Sequence, residues 1–233
     1  MARPSAQRHV VIVAYPDVQS LDVTGPLEVF AAANAAGATP AYATTVVSPA
    51  GGTLRTSSGL GLVADRSIAD HHDPIDTLLV AGGDGTVGAL ADAELLRWVR
   101  EAAGRSRRVT SVCSGAFVLA AAGLLDGRRA TTHWSVCDLM AALHPAVEVD
   151  ADRIYVRDGH VWTSAGVPAG MDLALALVED DNDSALALEA GGVVVELGVG
   201  TGRSAIPAAL AGARVVGLDL AQEMLLLCRQ KAR

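Results

Sequence analysis

The sequence predicts a doubly wound α/β fold, with a mostly parallel sheet and a short C-terminal βαβ fragment. Three observations carry that expectation. Short apolar, β-rich runs alternate with longer Ala/Leu-rich stretches of helical spacing, the pattern of βαβ units. Hydrophobic residues make up 51% of the 233 and charged residues 19%, enough apolar surface to offset the entropy of ordering a large core. Several of the apolar runs end in Gly-rich or Cys-containing corners, and open α/β sheets bind ligands at that carboxyl edge of their strands.

In chain order, strands are expected at residues 9–14, 41–48, 77–81, 108–113, 130–132 and 160–163. Helices are expected at 26–36, 92–104, 114–123, 135–143 and 168–180. Residues 53–65, TLRTSSGLGLVAD, alternate around Ser-Gly and read as an appended β-hairpin. The run EDDNDS at 179–184 places four acids in six residues, which reads as a helix stop and a linker. Two units are therefore expected, 1–183 and 184–233, the second restarting a strand, Gly-rich turn, helix and strand.

Composition narrows the function classes. The net charge is −8 and the single lysine is Lys231, so no broad basic face for nucleic acid is evident. No run reaches the ~18 apolar residues of a membrane span, and the apolar stretch behind the first arginines is short for a secretory signal. Cys113, Cys137 and Cys228 form an odd set with neither disulfide nor zinc-site spacing. A cytoplasmic protein with no metal and no cofactor, acting on a small molecule, is the expectation.

Residues 108–113, RVTSVC, form a strand-like run that passes through Cys-Ser-Gly directly into the helix-like AFVLAAAGLL. Such a sharp turn holds a nucleophile clear of the sheet edge. Cys113 is the candidate nucleophile, and a helix start beneath it is expected to lower its pKa. The Gly-rich LLVAGGDG could bring the Gly83 N–H beside the Ser114 N–H as an oxyanion hole. His133, in TTHW after another strand, is a candidate base, acid or orienting group, or a structural histidine. Asp22 precedes Thr24-Gly25-Pro26, a helix start, and is either a capping acid or a carboxyl beside Cys113.

Together AYPDVQSLDVTGPLEVF, LLVAGGDG, VTSVCSGAFVLAAAGLLDGRRATTHW and VWTSAGVPAGMDLALALVED resemble the ThiJ/PfpI superfamily, with its flavodoxin-like, class I glutamine-amidotransferase-like fold, over residues 8–181. Within it the chain is similar to isonitrile hydratases and to the amidase-like N-terminal domains of AraC-type regulators. The resemblance implies Cys113 as nucleophile, Asp22 as the participating carboxylate, and Ser114 where the hydratases carry Thr. It also implies a homodimer. PfpI-type peptidases carry His directly after the cysteine, so Ser114 argues against peptidase activity.

In the second unit VVVELGVGTG, at 193–202, resembles motif I of class I S-adenosylmethionine-dependent methyltransferases, which implies Glu196, Gly198, Gly200 and Asp219 as cofactor-facing residues. About 50 residues lack that fold's remaining strands, so a vestigial fragment is expected.

Overall fold

The computed structural model describes residues 7–191 and the backbone of two further strands, Val193–Leu197 and Arg214–Leu218. Strand β1 (Arg8–Val13) opens the chain and has its last four residues buried, as a central strand covered on both faces requires. β2 (Tyr42–Ser48), β5 (Arg66–Ser67), β6 (Thr77–Val80), β7 (Arg108–Ser111), β10 (Tyr155–Asp158) and β11 (Val161–Ser164) complete a seven-stranded sheet. Its order is β10-β11-β7-β6-β1-β2-β5, parallel throughout except for the antiparallel edge strand β10. The doubly wound, mostly parallel architecture is thus present. β7, which leads to Cys113, lies inside the sheet between β6 and β11.

Helices α1 (Ser20–Ala35), α2 (Thr86–Ala91), α3 (Ala93–Gly104), α4 (Gly115–Ala121), α5 (Cys137–Leu143), α6 (Pro168–Asp181) and α7 (Ser184–Gly191) flank the sheet. The 53–65 hairpin forms as β3 (Gly52–Arg55) and β4 (Gly61–Ala64), paired antiparallel. β8 (Arg129–Ala130) and β9 (Glu148–Val149) pair with each other.

Three expectations change. The run at 130–132 contributes only the two-residue β8, which pairs with β9 outside the central sheet. α1 begins at Ser20 rather than at Pro26, so the proline lies inside it. Pro26 has no N–H for the Asp22 carbonyl four residues earlier, a cost that burial of Val23, Val29 and Phe30 offsets.

The third change concerns the acidic run. The helix stop falls at Asp181, one residue past the expected end, but after Asn182 and Asp183 the chain enters α7 rather than a linker. Acids at a helix C-terminus oppose its dipole. Here arginines at the starts of β1 and β7 offset them, because a parallel sheet gathers its strand starts at one edge. Asp181 and Arg108 side chains are 1% and 3% exposed and pair at 2.5 Å, while Arg107 reaches Asp181 at 2.7 Å and grips both oxygens of Asp76 at 2.8 Å. Arg157 holds Asp180 at 2.9 Å, and the Tyr42 hydroxyl donates to Asp181 at 3.0 Å. Beyond this cluster α7 packs on α1 and α6 with Ala187 buried, so residues 184–191 extend the first unit past Asp183.

In the C-terminal segment, β12 (Val193–Leu197) and β13 (Arg214–Leu218) pair in parallel, the two strands expected there. The helix expected between them, Gly198, Gly200 and Asp219 lie outside the described residues, and Glu196 is described only as a backbone position in β12.

Removing one member of a buried ion pair leaves the other charge unpaired, at a cost of about 3–5 kcal/mol. Asp181→Ala is therefore expected to lower unfolding free energy by that amount in urea titration. Asp73→Ala breaks the exposed Arg66–Asp73 pair, whose side chains are 49% and 50% exposed, and should cost about 0–1 kcal/mol. Equal losses in the two variants would contradict this ranking.

Candidate active site

The site is built where β6 and β7 end. After Ser111 the chain turns through Val112, Cys113 and Ser114 into α4. Cys113 adopts φ 56°, a left-handed conformation that costs a non-glycine residue about 1–3 kcal/mol and is found where a function needs it. Hydrogen bonds on both sides fix the turn: the Cys113 N–H donates to Ala165 O at 3.0 Å, and the Thr132 hydroxyl donates to the Cys113 carbonyl at 2.9 Å. Two glycines let the neighbouring backbone close in. A Cβ on Gly115 would come within 2.3 Å of Val80 O, and one on Gly82 within 2.6 Å of Ser114 N and 2.9 Å of the Cys113 Cβ.

Asp22 comes from the first turn of α1 rather than from a loop, and it is fully buried. Its Oδ2 accepts from the Gly82 N–H at 3.0 Å, while its Oδ1 is buried with no hydrogen-bond partner. Burial pushes the carboxyl up to about 7, against the opposing pull of the Gly82 N–H and the Cys113 thiol. Burial, followed by the Asp22 charge, pushes the Cys113 thiol up to about 12, while the Ser114 N–H and hydroxyl favour the anion. The lowered cysteine pKa expected from the helix start is thus overturned. Desolvation and a neighbouring carboxylate outweigh the dipole of the short α4. The thiol is also buried.

The expected oxyanion amides are already engaged. The Gly83 N–H donates to the Ser114 hydroxyl at 2.9 Å, and the Ser114 N–H faces the Cys113 sulfur. Asp22, Gly83, Cys113 and Ser114 therefore come together. His133 follows Thr132, which bonds the Cys113 carbonyl; its Nδ1 pairs with the Ser135 hydroxyl at 2.7 Å, its ring tilts against Trp134, and a Cβ on Gly166 would come within 2.4 Å of its Cδ2.

Two hydroxyls escaped the sequence reading. Tyr15, just past β1, donates to Ala81 O at 2.7 Å and lies 3.1 Å from Thr86 Oγ1, which is 2.8 Å from Ser114 Oγ. Their signal was present, since Tyr15 directly follows the first apolar run and Thr86 directly follows GGDG. Among the described residues no group of three or more His, Cys, Asp and Glu could hold a metal ion.

A model of the DJ-1/PfpI family matches residues 8–180. The chain belongs to the DJ-1/PfpI family. Among DJ-1/PfpI relatives, it is 40% identical over 166 residues to the isonitrile hydratase of Pseudomonas putida, covering 71% of this chain and 68% of the enzyme. It is 32% identical over 184 residues to the HTH-type transcriptional regulator GlxA of Rhizobium meliloti, covering 77% of this chain but only 56% of the regulator. The crystal structure of a ThiJ/PfpI family protein from Pseudomonas syringae superposes with a TM-score of 0.72 at 31% identity, covering 81% of this chain and 74% of that one. The fold of this DJ-1/PfpI chain thus agrees with that solved structure over most of its length.

The Asp22 carboxyl gives the site a pH signature. Its folded pKa, about 7, lies above its ordinary 3.8, so its contribution to stability is full below pH 4 and is lost as the pH rises towards 7. Asp22→Asn lacks that titration. The melting temperature of the natural protein, relative to the variant, should therefore fall between pH 4 and pH 7 and level off above. A difference that rises with pH would show an ordinary, stabilised carboxylate instead.

Proposed function

We propose that this protein is a cysteine-dependent hydratase of small neutral molecules, with isonitrile hydration as its reaction. The observation that carries the reading is the buried carboxyl of Asp22, with one oxygen unpartnered, interacting with the Cys113 thiol and titrating near neutrality. A group with that pKa can give and take protons at neutral pH. Its burial repels an anionic substrate, which suits a neutral one.

In the proposed reaction the Cys113 sulfur bonds to the terminal carbon of R–N≡C. The thiol proton, relayed by Asp22, ends on that carbon and gives the thioimidate R–N=CH–S–Cys113. Water adds to the same carbon, the C–S bond breaks, and the proton returns to sulfur as R–NH–CHO leaves. Isonitrile and water thus yield an N-substituted formamide, the chemistry named for the relative from Pseudomonas putida. Cys113→Ala should abolish turnover of an isonitrile panel, and Asp22→Asn should reduce it by at least about 10²-fold, the loss expected when proton transfer is removed. Full activity in either variant would refute the assignment.

A second reading is a ligand-sensing domain without turnover, related to the regulators the chain resembles. It is favoured by a thiol held protonated and by the engagement of the Gly83 and Ser114 amides. A small molecule that raises the melting temperature while no isonitrile is consumed would decide for it.

A homodimer is part of the same proposal. Leu21, Val87 and Trp134 are 50%, 77% and 75% exposed, and each is one residue from Asp22, Thr86 or His133. Sedimentation at micromolar concentration should give a dimer, and a clean monomer would contradict it. No helix among the described residues is long and apolar enough to cross a membrane.

A further inference from the structure

The hydroxyls around Ser114 have too few hydrogens for all their short contacts, and that shortage forces a choice. Tyr15 donates its one hydrogen to Ala81 O at 2.7 Å, so towards Thr86 it can only accept. Thr86 has one hydrogen and three acceptors, Gly83 O at 2.7 Å, Ser114 Oγ at 2.8 Å and, farther off, the Tyr15 hydroxyl at 3.1 Å. Ser114 has one hydrogen too, after accepting the Gly83 N–H at 2.9 Å, and it faces Thr86, the Cys113 sulfur and, at 3.3 Å, Gly83 O.

Two arrangements keep the short Thr86–Ser114 contact hydrogen-bonded, and both leave the longer Tyr15–Thr86 contact without a hydrogen. In the first, Ser114 donates to Thr86 and Thr86 donates to Gly83 O, leaving the sulfur without the hydroxyl. In the second, Thr86 donates to Ser114 and Ser114 donates to the sulfur, leaving Gly83 O without a hydroxyl donor. The first suits a protonated thiol and the second suits a thiolate, because a donor aimed at sulfur stabilises only the anion.

We infer that Thr86 is a positioning residue that draws the Ser114 hydrogen away from Cys113 in the resting site and must release it before the sulfur can carry charge. The short Thr86–Gly83 bond is what the site gives up when the hydrogens reverse. Thr86 touches no substrate in this scheme. It acts through Ser114, and the inference concerns the sulfur's proton alone, so it holds whether the site turns a molecule over or only binds one. The titratable groups facing Cys113 are Asp22 from α1 and Tyr15 from the end of β1, and neither is altered in the test.

The consequence is a pair of substitutions with opposite signs. Without the Thr86 hydroxyl, Ser114 retains only the longer contact to Gly83 O as its alternative to the sulfur, so the thiolate forms more readily. Without the Ser114 hydroxyl, the thiolate loses a donor and forms less readily. A purely structural role for both residues would slow or speed the two variants together.

The test is the rate of iodoacetamide alkylation of the Cys113 peptide, followed by mass spectrometry from pH 7 to pH 10 in the full chain. Peptide-level detection separates Cys113 from Cys137 and Cys228. Thr86→Val should alkylate about threefold or more faster than the natural protein at a given pH, with its profile moved to lower pH, and Ser114→Ala about threefold or more slower. Thr86→Ser restores the hydroxyl and should return the natural profile. Thr86→Ala, which also lacks the hydroxyl, replaces the valine variant if that one does not fold. Shifts of the same sign in the Thr86 and Ser114 variants, or a Thr86→Ser profile matching Thr86→Val, would overturn the inference.

Discussion

The site depends on the contact between the turn after β6 and the turn after β7. Two backbones meet there so closely that a single Cβ has no room, at Gly115 against Val80 O and at Gly82 against Ser114 N. That closeness holds Cys113 at its positive φ and lets the Gly82 N–H reach the Asp22 carboxyl. It also brings the Gly83 N–H onto the Ser114 hydroxyl. The parallel order of β6, β7 and β11 is what delivers both turns to one edge. At the opposite edge, the arginines of β1 and β7 lock the acidic end of α6, so charge cements the end of the sheet away from the site.

Burial is the dominant electrostatic influence at the end that carries Cys113. A helix start stabilises an anion by a few tenths to about 1 kcal/mol, whereas withdrawing a charge from water costs several. The thiol and the carboxyl consequently compete to remain neutral, and the pair holds at most one negative charge near neutral pH. Catalysis by such a pair relies on moving one proton between two neighbours rather than on a preformed thiolate. The hydroxyls of Ser114, Thr86 and Tyr15 then matter because they set which hydrogen points at the sulfur when that proton moves.

Much of this was legible in the residues themselves. The apolar runs at β1, β2, β6, β7 and β11 announced a parallel core, and Cys-Ser-Gly after RVTSVC announced the corner. Asp22 could be named as a partner of Cys113, but its place within α1 was hidden behind Pro26, which normally marks a helix start. The run EDDNDS read as a solvated linker because its arginine partners are distant in sequence, Arg108 lying more than 70 residues before Asp181. The direction of the Cys113 shift was invisible for a related reason. Local sequence displays the helix that would stabilise the thiolate, whereas the walls that desolvate it come from α1, β1 and the Gly82 turn. Tyr15 and Thr86 were overlooked because a hydroxyl's role depends on which hydrogen it spends and where, a property of the assembled network.

The central claim is that Asp22 and Cys113 share a single negative charge, with the carboxyl titrating near neutrality. Carbon-13 NMR of aspartate-labelled protein, with Asp22→Asn used to assign the Asp22 carboxyl resonance, reads that titration directly. The account predicts a midpoint at about pH 7, together with no ultraviolet thiolate absorbance from Cys113 below that pH. A midpoint near the ordinary aspartate value of 3.8, or a thiolate signal already present at neutral pH, would contradict it.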